Sequence, residues 1–227
     1  MQNALTTEPF DDAPTGDAVG PVELASRLAA RLCHDFISPA SAIVSGIDLI
    51  EDPEQQDMRD EAIALIAASA RKLAALLTFS RIAFGGSAAS ESFDARELER
   101  LTRDFYEHVR AELNWQVEPA SLCKPAARAL LNLAQVGATA LPVGGKATLS
   151  VVEDGGRIRL SLDAEGPRAR LRPEAADGLA GRPFNEGLGG QWVQAYFLRA
   201  IVERAGGTMD FVVEDEAVRV KIDLAAE

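Results

Sequence analysis

Residues 21–50 read PVELASRLAARLCHDFISPASAIVSGIDLI, and this stretch decides the fold of the first part of the chain. Apolar side chains recur in it every three or four positions and, at about 100° per residue, fall within an arc of roughly 140°. They are Leu24, Leu28, Leu32, Phe36, Ile43, Ile47 and Ile50. The spacing predicts an amphipathic helix with one buried stripe.

A second periodic stretch, residues 58–84, follows a polar turn at residues 51–56. Its apolar side is formed by Ile63, Ile66, Ala70, Leu73 and Leu77. Two long helices joined by a short loop form an antiparallel hairpin, which we assign to residues 21–84. Because two helices alone leave much apolar surface in water, we expect two copies of the chain to pair as a four-helix bundle. The alternative is that the hairpin packs onto the C-terminal part of its own chain.

The sequence on either side of the hairpin marks the domain boundaries. Residues 85–92 begin GGSAAS, a small-residue composition typical of a linker. Residues 1–20 carry four acids and no Lys or Arg, which predicts a disordered tail. Residues 93–227 then form a second domain.

The second domain shows the periods of both helices and strands. Asp94 can cap a helix over about residues 95–113, a short strand-like piece covers 115–117, and further helices are predicted over 124–138 and 191–205. Alternating segments predict β-hairpins over 147–163 and 208–224. Helices on one face of a mainly antiparallel sheet make an α/β sandwich.

The charge balance excludes several classes of function. The chain has 23 Lys and Arg against 35 Asp and Glu, a net charge of −12, which disfavours nucleic acid and anionic membranes as partners. The most apolar stretch, residues 62–70, is shorter than the ~18 residues of a membrane span. Cys33 and Cys123 form neither a disulfide framework nor a zinc motif. We expect a cytoplasmic protein.

His34 is the first of two histidines and lies opposite the apolar stripe of the first helix, so it is expected to face solvent. Arg27, Arg31, Ser38 and Ser41 fall on the same side of that helix. A neutral imidazole is an effective nucleophile when one ring nitrogen attacks and a partner orients the other. The sequence therefore makes His34 a candidate nucleophile in a locally cationic patch.

Two neighbours of His34 bear on the hypothesis that it is a nucleophile. Asp35 is the candidate partner that orients or deprotonates the imidazole, although it lies about 100° away on the wheel. Pro39 removes a helical hydrogen bond to the carbonyl of Asp35 and should bend the helix. The alternative is an ordinary surface histidine beside an incidental kink. We expect no metal here, because neither His nor Cys stands three or four residues on.

His108, the other histidine, has Leu113 rather than a proline five residues on. It is the rival acceptor, and we expect it to be a surface residue.

The segment 34–39, HDFISP, resembles the H box of histidine kinases, which lies on the first helix of a dimerising hairpin. The part after the linker resembles the ATP-binding (Bergerat) domain of those kinases, from Phe93 and Asp94 through LLNL at 130–133 to the last β-hairpin. The resemblance covers about residues 22–227.

Three departures from the kinase pattern bear on nucleotide binding. Val136 stands where the N box has its second Asn, a magnesium ligand, and Glu165 replaces a glycine of the first G box in DAEG at 163–166. GLGG at 187–190 retains only part of the second G box. We therefore expect no ATP-dependent autokinase activity and no cofactor or metal bound by this chain.

A kinase-like architecture that keeps its histidine and loses its ATP site is similar to the dimeric histidine phosphotransferases of alphaproteobacteria. That resemblance implies that His34 accepts a phosphoryl group from the receiver domain of a CckA-like hybrid histidine kinase. It implies transfer onward to CtrA-like and CpdR-like response regulators in cell-cycle control, with magnesium supplied by the receivers. Arg27, Arg31, Ser38 and Ser41 would then belong to the receiver-docking surface.

Two other classes of function remain open on the sequence. One is an active ATP-dependent histidine kinase, and the other is a non-catalytic binding module of the anti-sigma kind.

Overall fold

The computed structural model describes residues 19–85, 92–183 and 189–226. The predicted tail lies outside the described residues except for its last two positions, and the predicted linker does so except for its ends.

The predicted hairpin is present. Helix α1 spans Pro21–Glu51, a 3₁₀ turn spans Pro53–Met58, and helix α2 spans Arg59–Ala83. Helix α1 continues through Pro39. The two helices approach closely where Gly46 faces Ile66 and Ala62, because a Cβ at position 46 would lie 2.6 Å from Ile66 Cγ1.

The predicted buried stripe of α1 is only partly covered. None of its seven apolar residues is fully buried, Ile47 is exposed, and Pro39 and Gly46 are the buried residues of the helix. The physical reason is geometric, since one helix can cover only part of another. Large apolar side chains of both helices consequently face solvent in the single chain, namely Ile37, Val44, Ile47, Ile63, Leu65 and Leu77.

The far end of the hairpin packs against the rest of the chain. Phe79, Ile82 and Ala83 at the end of α2 belong to the same core as the C-terminal helices and sheet. Helix α1 also contacts the last helix of the chain. At the end of α2 the hairpin therefore packs onto the C-terminal part of its own chain, as the alternative prediction stated. The exposed apolar side chains listed above, along the rest of the hairpin, stay uncovered.

The length of α2 corrects one expectation. Residues 53–83 are long and apolar enough to cross a membrane by length and composition, contrary to the estimate from residues 62–70 alone. The apolar stretch was underestimated because the alanines spread along this helix raise its mean hydropathy without extending the run of large apolar residues. In the fold this segment packs along α1 and ends in the core.

The described residues of the second half form two sheets and four helices. The helices are α3 (Ala95–Tyr106), α4 (Lys124–Ala140), α5 (Pro173–Leu179) and α6 (Gly189–Arg204). The strands are β1 (Ser92–Asp94), β2 (Ala111–Val117), β3 (Ser121–Cys123), β4 (Gly145–Asp154), β5 (Arg157–Glu165), β6 (Thr208–Glu214) and β7 (Ala217–Ala225).

Five strands form the main sheet in the order β2-β4-β5-β7-β6, and β1 pairs with β3 separately. The β2–β4 pair is parallel, with Trp115 opposite Leu149, and the other described pairs of the main sheet are antiparallel. Alternate residues such as Leu149, Leu162 and Val220 are fully buried under α4 and α6, while the other face of the sheet carries polar side chains. The predicted sandwich with helices on one face of a mainly antiparallel sheet is confirmed.

The helix predicted over residues 95–113 is too long. Asp94 caps α3 as predicted, its carboxylate accepting hydrogen bonds from the backbone N–H groups of Arg96 and Glu97, but the helix ends at Tyr106. Leu113 lies in β2 instead. Leu113 fits the helical spacing by position, but it is apolar because it packs against the core from a strand. The short elements β1, β3 and α5 were not predicted.

Candidate functional site: the His34 surface of helix α1

His34 faces solvent from α1, as predicted, and its side chain is 82% exposed. Its Nδ1 lies 3.3 Å from Oδ1 of Asp35. The wheel places these neighbours about 100° apart, but both side chains lean into the space between them. The predicted pairing of Asp35 with the imidazole is thus present in the geometry.

Arg31 completes a chain of three polar groups. Its Nε donates to Oδ2 of Asp35 at 2.8 Å, one helical turn away, so each carboxylate oxygen of Asp35 has one neighbour. The side chains of Arg31 and Asp35 are 23% and 28% exposed, far less than that of His34. A carboxylate held in this way has little freedom to leave the imidazole.

The start of α6 lies beside Arg31. A Cβ built on Gly190 would stand 3.1 Å from a terminal guanidinium nitrogen of Arg31, so the glycine and the arginine lie in close contact. Because Gly190 is far along the chain from Arg31, no local sequence signal could have predicted this contact.

Arg27 is held in a similar way by its own chain. Its Nε and Nη2 donate to Oε1 of Glu23 at 3.0 and 2.7 Å, and its guanidinium lies 5.7 Å from the ring centroid of Trp192 in α6. Trp192 is fully buried and donates its indole N–H to the carbonyl of Arg182. The cationic patch predicted around His34 is thus in contact with α6.

Ser38 and Ser41 are exposed one and two turns beyond His34. His108 is exposed as well, in the turn after α3, where it lines a cavity of about 530 Å³ between α2 and α3. Arg100, Asp104 and Glu107 share that cavity.

The residue that matches the N box serves the fold. Asn132 is completely buried, and its Nδ2 donates to the backbone carbonyls of Ala83 at 3.0 Å and Arg128 at 2.8 Å. It therefore ties the end of the hairpin to α4. Val136, the position of the missing second Asn, is buried.

The residue before Val136 and the acids of the first G box also make contacts within the fold. Gln135 of α4 accepts a hydrogen bond from Gln194 of α6. Asp163 and Glu165 point to the sheet face away from α4, where their oxygens lie 3.1 and 3.5 Å from Arg219. Gly187 and Leu188 lie outside the described residues, and Gly189 and Gly190 begin α6.

This arrangement suits nucleophilic chemistry. When Nδ1 carries the proton and donates it to Asp35, the lone pair is on Nε2. The high exposure of the ring leaves that nitrogen open to a large partner. The carboxylate would also stabilise the positive charge that develops on the ring as Nε2 attacks.

Comparisons with known proteins place the chain in a family. The model of the family "Histidine phosphotransferase C-terminal domain" matches residues 95–217, more than half of the chain. The protein phosphotransferase ChpT of Brucella abortus (strain 2308) is 30% identical over 186 residues, which cover 82% of this chain and 88% of that protein.

One solved structure agrees with that placement. A bacterial phosphotransferase determined at 1.7 Å is 28% identical, covers 90% of this chain, is itself covered to 98%, and superposes with a TM-score of 0.80. The catalytic domain of the histidine kinase ThkA aligns with 60% of this chain at 17% identity and a TM-score of 0.47. On the family match and the curated relative, the chain belongs to the histidine phosphotransferases of the ChpT type and is a protein phosphotransferase.

Proposed function

We propose that His34 is the phosphoryl carrier of a phosphorelay, which takes the group from one receiver domain and passes it to another. The observation that carries this proposal is the exposed imidazole whose Nδ1 lies against Asp35, itself held by Arg31. A carrier must meet two large partners in turn, and an imidazole on the open side of a helix is accessible to both.

The transfer step balances without a cofactor on this chain. Nε2 of His34 attacks the phosphorus of a receiver's aspartyl phosphate, the N–P bond forms, and the acyl P–O bond breaks with its electron pair returning to the receiver's carboxylate. The Nδ1 proton stays on the ring and is held by Asp35. A second receiver's aspartate then attacks the same phosphorus and releases His34.

The partners follow from this chemistry and from the family. The upstream partner is the receiver domain of a CckA-like hybrid kinase, and the downstream partners are CtrA-like and CpdR-like regulators of the cell cycle in the cytoplasm. Each receiver brings the magnesium that neutralises the phosphoryl charge. Ser38, Ser41 and the exposed apolar residue Ile37 supply docking surface around His34, and Arg27 and Arg31 supply positive charge.

A homodimer accounts for the uncovered hairpin. The exposed Val44, Ile47, Ile63 and Leu77 lie on α1 and α2, where a second hairpin would complete a four-helix bundle. Burying such side chains contributes about 25 cal/mol per Å² of apolar surface.

The residues in and beside the nucleotide boxes argue against autokinase activity. Asn132 is committed to Ala83 and Arg128, Gln135 is bonded to Gln194, and Asp163 is paired with Arg219 on the opposite face of the sheet. A magnesium nucleotide at the N box would have to displace the contacts of Asn132, and it would lack the ligand that an Asn at position 136 would supply.

The test uses a hybrid-kinase receiver carrying radiolabelled phosphate. The wild-type chain and His108→Gln should acquire acid-labile label, and His34→Gln should acquire none while retaining its oligomeric state. Label from magnesium ATP alone would support a kinase instead. If no label is ever transferred and His34→Gln still fulfils the partner function, the binding-module alternative is correct.

A further inference from the structure

A cavity of about 370 Å³ lies where the start of α1, the start of α4 and the last turns of α6 meet. Leu24 lines it from α1, Lys124 and Arg128 from α4, and Phe197, Ile201 and Arg204 from α6. None of these six residues belongs to the His34 surface. The cavity is therefore separate from the proposed phosphoryl-transfer site.

The cavity is cationic in a protein whose net charge is −12. Lys124, Arg128 and Arg204 converge on it, and no acid among the residues that the structure describes lines it. None of the three side chains has a carboxylate partner among the described residues, whereas Arg103, Arg157 and Arg219 elsewhere in the fold do. The cavity thus concentrates positive charge that the described part of the chain leaves uncompensated.

Arg128 shows this most clearly. Its Nε is buried with no hydrogen-bond partner in the described part of the chain, and its guanidinium lies 5.3 Å from the ring centroid of Phe197. Burial, and next the charge of Arg204, lower the pKa of Arg128 from its ordinary value. A partly buried guanidinium without an anionic partner costs stability, so a site of this kind favours an anion beside its charge.

We propose that this cavity binds the acidic N-terminal segment of the same chain, residues 8–17. That segment contains Glu8, Asp11, Asp12 and Asp17 and no Lys or Arg. Phe10 adds an apolar side chain that suits the walls formed by Leu24, Phe197 and Ile201.

The position of the cavity makes the contact possible over a short distance. Leu24 lies in the first turn of α1, and Asp17 stands four residues before Pro21, about 13 Å of extended chain. Asp11 and Asp12 can reach about 30 Å from the same point. Over so short a tether the effective concentration is in the millimolar range, so weak ion pairs suffice for docking.

Docking of this segment would brace the start of α1 against α4 and α6. The His34 surface lies further along α1 and contacts the start of α6 through Arg31. The acidic segment is therefore a clamp between the hairpin and the C-terminal part, and its strength should fall as salt screens the charges.

Paramagnetic broadening on the full chain tests the proposal. Cys123 precedes Lys124 and is partly exposed, so a nitroxide on Cys123 in a Cys33→Ser background reports on the cavity. We expect the amide signals of residues 8–17 to lose at least half of their intensity relative to the reduced label. The intensity should return with the single substitution Arg204→Glu, and in 0.5 M salt, where the screening length is below about 5 Å.

A chain whose acidic segment has been neutralised is the matched control. A chain carrying Glu8→Gln, Asp11→Asn, Asp12→Asn and Asp17→Asn should show no broadening from Cys123. A nitroxide at Val213→Cys, on exposed β6 in a chain without native cysteines, should broaden none of these signals.

Several outcomes would overturn the proposal. They are full tail intensity with the label at Cys123, equal broadening from position 213, or broadening that survives neutralisation of the tail. Broadening in a mixture of isotope-labelled and spin-labelled chains would assign the cavity to the tail of a second copy. Shifts of cavity amides on adding a separate acidic peptide, with the chain's own tail unbroadened, would assign it to another protein.

Discussion

The guanidinium of Arg31 donates from Nε to Oδ2 of Asp35 at 2.8 Å, while the other oxygen of that carboxylate lies 3.3 Å from Nδ1 of His34. Arg31 also lies against the start of α6 at Gly190. The C-terminal part of the chain is thus connected to the exposed histidine through Arg31 and Asp35. In the proposed mechanism Asp35 is a positioning residue, and its own position depends on Arg31.

Asp35→Asn should slow phosphoryl transfer to and from His34 by about 100-fold, because the neutral amide stabilises the charged ring poorly. The binding affinity for the receiver should change less than two-fold. Rapid-quench kinetics at saturating receiver, with a separate binding titration, measure the two effects. A loss confined to affinity would contradict the assignment.

Arg31→Gln should give a smaller loss of about two- to five-fold, the size expected for a partly exposed ion pair. Arg100→Gln is the matched control, since it removes an ion pair of the same i, i+4 kind with Asp104 on α3 and should leave the rate unchanged.

Asn132→Leu should lower the free energy of unfolding by about 1–3 kcal/mol, because the buried carbonyl of Ala83 loses its hydrogen bond from Asn132. The Asn132 Oδ1 atom has no hydrogen-bond partner among residues 19–85, 92–183 and 189–226, so its removal costs little. Urea unfolding measures the change. Transfer by the folded variant should stay within two-fold of wild type, and a complete loss of transfer in a folded protein would show that Asn132 has a chemical role.

Tyr106 gives a prediction about alkaline pH. Its buried hydroxyl donates to the carbonyl of Ala134 at 2.8 Å, and burial raises the pKa of Tyr106 well above its ordinary value. The unfolded chain loses this proton near pH 10 while the folded chain keeps it, so stability falls as pH rises above about 10, by up to about 1.4 kcal/mol per pH unit.

Tyr106→Phe should therefore cost about 1 kcal/mol at pH 7, where it removes only the hydrogen bond, and should flatten the alkaline loss. Urea unfolding between pH 8 and pH 11 measures both effects. Tyr196→Phe is the control and should retain the wild-type slope. An unchanged slope in Tyr106→Phe would contradict the prediction.

Val44 tests the proposed dimer. It is 57% exposed on α1, and Val44→Glu should place a charge in the apolar centre of a four-helix bundle. We expect light scattering to show a monomer at concentrations where the wild-type chain is a dimer. Val212→Glu on β6, where the valine is similarly exposed, should leave the mass unchanged. A monomeric wild-type chain would refute the dimer.

What the sequence could predict depended on how local the cause was. The hairpin, the exposure of His34 and the cap at Asp94 follow from residues within one or two helical turns, and all three were predicted. The end of α3 was misplaced because Leu113 continues the helical spacing while belonging to a strand. The contacts of Arg27 with Trp192 and of Asn132 with Ala83 join distant parts of the chain, so local patterns carried no signal for them.

Site-resolved mass spectrometry in a pulse-chase experiment tests the central claim most directly. After a pulse with a phosphorylated hybrid-kinase receiver, the phosphoryl group should be found on His34 and should leave when a second, unphosphorylated receiver is added. The group should be absent from His108 throughout. Phosphate on any residue other than His34, or phosphate on His34 that no receiver can remove, would contradict the account.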